Sequence, residues 1–154
     1  MYKVLLVDDE YMITEGLKRL IPFDKWGMEV VATANHADDA LDYVREHPID
    51  IVISDVNMPD KTGLEMIGEM KELLPNAYYI LLSGYQEFDY VKKAMNLNVV
   101  DYLVKPVDKV ELERLLEKIS SQLGEKSHEP EILSQQLDEE AFKTHLSQKE
   151  NWWI

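Results

Sequence analysis

The stretch LLVDDE, residues 5–10, decides the fold, because a run of apolar residues ends abruptly in three consecutive acids. Adjacent like charges repel one another, so a chain that clusters them must gain something from the arrangement. Central strands of a parallel sheet read as short apolar runs, and ligands bind in the crevice outside their carboxyl ends. We therefore predict that this run ends a strand and that Asp8, Asp9 and Glu10 stand at the binding edge of a sheet.

Apolar runs of this kind alternate with segments of helical period along most of the chain. The runs are KVLLV (3–7), MEVVATA (28–34), IDIVIS (49–54), AYYILLS (77–83) and VVDYLV (99–104). Apolar residues three and four apart predict helices around Met12, Ile13, Leu17 and Leu20; Ala37, Ala40, Leu41 and Val44; Leu64, Ile67, Met70 and Leu74; Phe88, Val91, Ala94 and Met95; and Leu112, Leu115, Leu116, Ile119 and Leu123. Asp108, with Glu111 three residues later, is predicted to cap the last of these helices. Five strands alternating with five helices predict an α/β fold, a parallel sheet with helices on both faces.

The composition is that of a globular protein that attracts cations. The chain has 154 residues, of which 30 are acidic and 16 basic, and its formal net charge is −14. This charge disfavours binding to nucleic acid phosphates and to anionic membranes. The absence of cysteine excludes disulfides, thiolate metal sites and thiol catalysis. Because no apolar stretch is long enough for a signal peptide or a membrane helix, we expect a soluble, cytoplasmic protein with no membrane partner.

Length and composition divide the chain into one domain, residues 1–122, and a tail, residues 123–154. GEKSHEPE (124–131) is polar and contains Gly and Pro, which predicts a linker. Beyond it, one amphipathic helix ending near Lys149 is predicted from Ile132, Leu133, Leu137, Ala141 and Leu146. The chain then ends in the apolar NWWI, which suggests a cut inside a longer protein, with a natural terminus as the alternative.

Four predicted strands deliver polar side chains to the same edge of the sheet. The first ends at Asp8 and Asp9, the third at Asp55, the fourth at Ser83 and the fifth at Lys105. Clustered carboxylates are stabilised by a hard divalent cation such as Mg²⁺ or Mn²⁺, which keeps open positions for substrate oxygens. A lysine and a hydroxyl beside it suit phosphoryl oxygens, and an aspartate is a known covalent phosphoryl acceptor. The sequence therefore predicts a metal-assisted phosphoryl site.

The same fragments, in this order, resemble the receiver domain of a bacterial two-component response regulator from Tyr2 to about Ser120. They are DD after the first strand, D-x-N-M-P after the third, S-G after the fourth and Y-L-V-K-P at the fifth. Each fragment is weak alone, but the ordered combination is very specific. The resemblance implies a flavodoxin-like (βα)5 fold with strand order 2-1-3-4-5, plus here a C-terminal helical tail.

The resemblance also assigns roles to the acidic residues. It implies that Asp55 is the phosphoacceptor and that the metal is held by Asp55 together with Asp8, Asp9 and the backbone carbonyl of Asn57. Asp9 would bind Mg²⁺ directly, whereas Asp8 would act mainly through a bound water.

Further roles fall on the fourth and fifth strands. The resemblance implies that Lys105 and Ser83 contact the phosphoryl group and that the bond before Pro106 is cis. Ser83 would be the switch hydroxyl and Tyr102 the switch aromatic that turns inward on phosphorylation.

A narrower resemblance lies in SGYQEFDYVKKAMN (83–96) and in the Trp-Gly of DKWGMEVV (24–31), which are similar to YesN-type regulators. Those regulators carry an AraC-type helix-turn-helix output domain, which is absent from this chain. DNA binding would therefore belong to a missing output domain, and residues 123–154 would be the linker and the start of a connector helix leading to it.

The implied function is that of a switch rather than a classical enzyme. A sensor histidine kinase would supply the phosphoryl group, and the domain would catalyse its own phosphotransfer and autodephosphorylation. Phosphorylation would promote a homodimer, through the face built from the fourth helix, fifth strand and fifth helix or through the tail helix.

Other interpretations remain open from the sequence alone. The three acids at 8–10 suit a helix start, and Asp55 alone suits a turn. A phosphotransferase or phosphatase for small substrates would use the same aspartate, but it normally needs a second acid where Asn57 stands. A pseudo-receiver that takes no phosphate is disfavoured by the complete set of acids, Ser and Lys. A flavin carrier of the same fold is disfavoured because no Gly- and Ser/Thr-rich loop follows the first strand.

Overall fold

The computed structural model describes residues 1–84 and 101–136. Its strands are β1 (Tyr2–Val7), β2 (Met28–Ala34), β3 (Ile51–Asp55), β4 (Tyr78–Ser83) and β5 (Asp101–Val104). Its helices are α1 (Tyr11–Leu20), α2 (Ala37–Glu46), α3 (Gly63–Leu73) and α4 (Lys109–Gln136), with a short 3-10 helix at Phe23–Trp26. The helix predicted around Phe88 to Met95 lies outside the described residues.

The five strands form one parallel sheet in the order β2-β1-β3-β4-β5. This order confirms the predicted flavodoxin-like arrangement with helices on both faces. The chain leaves β1 to build β2 on one side and then crosses back to build β3 on the other. The strand order therefore reverses between β1 and β3, and in such sheets ligands bind outside the carboxyl ends of the strands at this point.

The central strands are buried on both faces, as the unbroken apolar runs predicted. Every residue of β3 and β4, and Val4 to Val7 of β1, is buried. The predicted stripe of α2 is buried completely, and that of α3 is buried except for the partly exposed Leu74. Both stripes belong to one core cluster with alternate residues of the strands, such as Leu5 and Val52.

The predicted apolar stripe of α1 was partly wrong. Met12 and Leu20 are 79% and 64% exposed, whereas Thr14 and Leu17 are buried. The buried face therefore runs through Thr14, Leu17 and Ile21, at the helical spacing of three and four. Thr14 can be buried because its hydroxyl donates to the carbonyl oxygen of Tyr11 at 2.9 Å, which leaves no polar group without a partner.

The last helix begins where predicted but continues further. Asp108 caps it, since its Oδ1 accepts the N–H groups of Val110 at 2.9 Å and of Glu111 at 3.4 Å. The helix then extends to Gln136 and so includes residues 124–131, for which a linker is predicted. Gly and Pro cost about 1 and about 3 kcal/mol in a helix interior, but extending an existing helix avoids the cost of nucleation.

The chain divides into two compact units, residues 1–116 and 117–154, and the candidate site described below lies wholly in the first. The assignment of 123–154 to a linker and connector stays a prediction, and the part of the predicted tail helix beyond Gln136 lies outside the described residues. Among the described helices, none has both the length and the apolar composition required to cross a bilayer.

Candidate functional site

Three aspartates meet at the edge of the sheet where the strand order reverses. Asp8 follows β1 and Asp55 ends β3; they are 1% and 5% exposed, whereas Asp9 is exposed. One carboxylate oxygen of each lies within 4.8 Å of those of the other two. Among the residues that the structure describes, this group does not include Glu10, whose N–H donates to Asp8 Oδ1 at 2.9 Å. The structure thus brings together the three predicted acids from two separate strands.

The alternative that these acids only start a helix is not supported by the geometry. Glu10 occupies the position before the first residue of α1, but its side chain makes no capping hydrogen bond. Asp8 instead turns towards Lys105, whose Nζ lies 3.1 Å from Asp8 Oδ2 and 3.2 Å from Asp55 Oδ1. A single ammonium group therefore bridges the two buried carboxylates.

The position of Lys105 is set by the sheet and by the loop that follows it. The residue comes directly after β5, and its N–H donates to the carbonyl oxygen of Ser83 at 2.8 Å. The peptide bond between Lys105 and Pro106 is cis. The lysine side chain is 24% exposed, so its charge is largely shielded from water.

Burial and charge together shift the pKa values of these groups. Burial, followed by the negative charge of Asp8, raises the pKa of Asp55 to about 6, although Lys105 and the N–H of Asn57 oppose the shift. Burial also raises the pKa of Asp8, against its hydrogen bonds from Glu10 and Lys105. Burial alone would lower the pKa of Lys105, but the hydrogen bond to Asp8 and the charge of Asp55 outweigh it and raise the pKa.

The donor set fits a hard divalent cation. Asp8, Asp9 and Asp55 supply carboxylate oxygens close enough to share one ion. Mg²⁺ prefers such oxygen ligands, takes few carboxylates and keeps water or substrate oxygens in its other positions. The raised pKa values of Asp8 and Asp55 indicate that the positive charge of Lys105 alone does not fully compensate the two buried negative charges. A divalent cation would supply the missing positive charge.

The remaining predicted residues are placed on the neighbouring strands and loop. Ser83 is 3% exposed and ends β4, next to the strand that carries Asp55. Tyr102 lies in β5, half-buried, and packs against the core cluster. Asn57 is exposed in the loop after β3, and its N–H donates to the Asp55 carboxylate. The roles that the resemblance implies for these three residues stay predictions.

Two residues that the sequence analysis did not select contact the segments that carry these acids. Asn35 Nδ2 donates to the backbone carbonyl oxygen of Asp8 at 2.8 Å. The carboxylate of Asp60 accepts the N–H groups of Ala37 and Asp38 at the start of α2, at 3.2 and 3.0 Å. Asn35 follows β2, so extending the comparison of strand ends to the second strand finds it. The sequence signal for Asp60 is weaker. It is the lack of a strong capping residue directly before α2, which implies that a cap comes from elsewhere in the chain.

The loop after β3 closes tightly under the site. The N–H of Gly63 donates to the carbonyl oxygen of Val56 at 2.7 Å. A Cβ at position 63 would overlap the backbone carbonyl oxygen of Asp55, so the absence of a side chain lets α3 begin here. Thr62 and Glu65 then form a capping box that completes the first turn of α3.

Comparisons with known proteins agree with this geometry. Residues 4–117 match the family model of the response regulator receiver domain. An uncharacterized response regulatory protein of Staphylococcus epidermidis is 38% identical over 128 residues, which cover 83% of this chain and 50% of that protein. The transcriptional regulatory protein HptR of Staphylococcus aureus is 38% identical over 119 residues, 77% of this chain and 46% of HptR.

A solved structure shows the same likeness. The receiver (REC) domain of AraT, a response regulator from Geobacillus stearothermophilus, is 37% identical, with a TM-score of 0.78 over 82% of this chain and 98% of that one. The chain belongs to the response regulator receiver domain family, whose members are signalling domains of two-component systems rather than classical enzymes. It spans about half the length of the curated relatives that it matches.

Proposed function

We propose that Asp55 accepts a phosphoryl group and that the chain acts as a phosphorylation-controlled switch. The observation that supports this most directly is the bridge from Lys105 Nζ to both Asp8 and Asp55, at 3.1 and 3.2 Å. A cation held beside a buried carboxylate stands where the negative oxygens of an incoming phosphoryl group would need neutralisation. The pKa of about 6 leaves Asp55 ionised at neutral pH and therefore available as a nucleophile.

The chemistry depends on positioning and charge neutralisation more than on proton transfer. A carboxylate oxygen of Asp55 attacks the phosphorus of a phosphohistidine in line, and the bond from phosphorus to the histidine nitrogen breaks as the new oxygen–phosphorus bond forms. Lys105 leaves its contact with Asp55 and contacts a phosphoryl oxygen, while the Ser83 hydroxyl donates to another. The nucleophile starts in a fixed orientation, because it ends a fully buried strand.

Asp8, Asp9, Asp55 and the backbone carbonyl of Asn57 would hold Mg²⁺ or Mn²⁺ beside the acceptor. When bound, this ion neutralises developing charge on the phosphoryl oxygens. The three carboxylates supply a donor set for it within 4.8 Å, and the loop of Asn57 follows the acceptor directly. Attack of water on the aspartyl phosphate, in the same site, would return the domain to its unmodified state.

The partner that delivers the phosphoryl group would be a sensor histidine kinase, and the reaction would take place in the cytoplasm. The aspartyl phosphate would bias Ser83 and Tyr102, and through them the surface of the domain. The resemblance to YesN-type regulators assigns the output to an AraC-type DNA-binding domain outside this chain. The name transcriptional regulatory protein, carried by a relative of about twice the matched length, supports an output on transcription.

We expect phosphorylation to shift the protein from monomer to homodimer, through the face formed by the fourth predicted helix, β5 and α4 or through the tail helix. Size-exclusion chromatography at matched concentrations, with and without beryllofluoride as a phosphoryl mimic, measures the shift. Unchanged elution under conditions where the mimic is bound would contradict dimerisation without affecting the phosphoacceptor proposal.

The proposed function is tested by the intact mass of the protein after incubation with acetyl phosphate. We expect the gain of one phosphoryl group in the presence of Mg²⁺, no gain in EDTA, and no gain in the Asp55→Asn variant. A folded protein that gains nothing with Mg²⁺ would be a pseudo-receiver. Transfer of the phosphoryl group onward to a small alcohol at a comparable rate would instead support a phosphotransferase.

A further inference from the structure

We propose that the corner between β2 and α2, residues 35–38, positions the metal site by clamping together the two segments that carry its ligands. Asn35 would hold the segment of Asp8, and Asp60 would hold the loop that follows Asp55. The inference rests on the proposed function, since it concerns Mg²⁺ binding by those acids. Neither residue touches the metal; both are positioning residues.

The first contact fixes Asp8 from the side of β2. The N–H of Asp8 donates to the carbonyl oxygen of Ala34 at 3.0 Å, and Asn35 Nδ2 donates to the carbonyl oxygen of Asp8 at 2.8 Å. Both backbone polar groups of Asp8 are therefore bound by consecutive residues, the last residue of β2 and the first residue of the corner. Because the backbone of Asp8 is held at two points, its carboxylate has little freedom to turn away from Asp55.

The second contact joins the loop that follows Asp55 to the same corner. Asp60 reaches the start of α2, where its two oxygens accept the N–H groups of Ala37 and Asp38 at 3.2 and 3.0 Å. The residue before α2 in sequence, His36, makes no capping hydrogen bond with its own side chain. Asp60 thus takes over the capping function from a distant part of the chain.

The charge of Asp60 fits this role. Slight burial raises its pKa, but the hydrogen bonds from the N–H groups of Asp38 and Ala37 outweigh this and lower the pKa. A carboxylate at a helix N-terminus is further stabilised by the helix dipole. The neighbouring Lys61 adds an ion pair to Asp38 at 3.7 Å, although such exposed pairs contribute little.

The two contacts together join the strands that flank the site. Asn35 and Ala37 are two residues apart, so Asp8 and Asp60 are anchored to adjacent points of one corner. The predicted metal ligand Asn57 lies between Asp55, fixed in β3, and Asp60, fixed on α2. Mg²⁺ demands near-ideal octahedral geometry, so small changes in ligand spacing lower its affinity. The corner also opposes the electrostatic repulsion between the carboxylates of Asp8 and Asp55.

The test is a calorimetric titration of the whole chain with MgCl₂. We expect Asp60→Ala and Asn35→Ala to weaken Mg²⁺ binding by about tenfold, the effect typical of groups that orient metal ligands. Asp60→Asn removes the same charge but keeps one of the two capping oxygens, so it should lose clearly less Mg²⁺ affinity than Asp60→Ala. This comparison separates positioning from the loss of a nearby negative charge.

Asp50→Ala is the matched control at the opposite edge of the sheet. Its carboxylate also accepts one backbone N–H, that of Lys3 at 2.8 Å. It should lose stability in EDTA, measured by urea unfolding, without loss of Mg²⁺ affinity. Wild-type affinity in Asp60→Ala and Asn35→Ala, or equal weakening by Asp60→Asn, would overturn the proposal and leave the proposed function standing. Absence of Mg²⁺ binding by the wild-type protein would overturn both.

Discussion

Replacement of Lys105 by methionine is expected to slow phosphorylation of Asp55 by about 10²–10³-fold, the loss typical when one charge-stabilising group is removed from a reacting centre. The structure supplies the reason. Lys105 Nζ lies 3.2 Å from Asp55 Oδ1, and its side chain is largely removed from water. No other lysine or arginine is paired with the site acids among the described residues. Methionine keeps the length and apolar stem of the side chain but not its charge.

The measurement is the first-order rate of phosphoryl gain from acetyl phosphate at saturating Mg²⁺, followed by intact mass. Lys109→Met is the control, because Lys109 lies four residues further on and pairs with Glu113 on the surface of α4. It removes the same charge and should react at nearly the wild-type rate. If Lys105→Met reacts as fast as Lys109→Met, the role given to Lys105 is wrong.

The second large effect is expected in the absence of metal, where Asp55→Asn should stabilise the protein. The pKa of Asp55 is raised from 3.8 to about 6 by folding, chiefly because the carboxylate is buried. Between these values the native state binds more protons than the unfolded state, so stability falls as pH rises through this window and stays low above it. A pKa shift of this size lowers the free energy of unfolding by about 2–3 kcal/mol at neutral pH. An uncharged Asn would recover this loss.

Urea unfolding in EDTA, between pH 4 and pH 8, measures this gain. The difference between Asp55→Asn and wild type should be small near pH 4 and largest at pH 7 and above. Addition of Mg²⁺ should reduce it, because the cation stabilises only the wild-type carboxylate cluster effectively. Asp9→Asn, at an exposed position of the same cluster, is the control and should give a smaller change. A pH-independent difference, or destabilisation by Asp55→Asn at neutral pH, would contradict the electrostatic account.

The central strands and the acid cluster could be predicted from the sequence because their signals are local. The run MEVVATA coincides with β2 residue for residue, and the other runs match their strands to within two residues. A buried parallel strand must be apolar throughout, so its end is marked by the first charged residue. Asp8 and Asp55 were found in this way, and the parallel sheet places them together.

The features that the sequence did not predict depend on packing or on contacts distant in sequence. In α1, the apolar Met12 and Leu20 face water while Thr14 is buried, because a satisfied hydroxyl fits the buried face as well as an apolar group. The contact of Asp60 with α2 joins residues 22 and 23 positions apart, which no local pattern reveals.

The central claim is that Asp55 forms the acyl phosphate, and identification of the modified residue tests it most directly. Borohydride reduces an aspartyl phosphate to homoserine, so the protein is incubated with acetyl phosphate and Mg²⁺, reduced, digested and sequenced by tandem mass spectrometry. The account predicts homoserine at position 55 alone, and none when Mg²⁺ is replaced by EDTA. Homoserine at position 8 or 9, or its absence from position 55 in a protein shown to be folded, would contradict it.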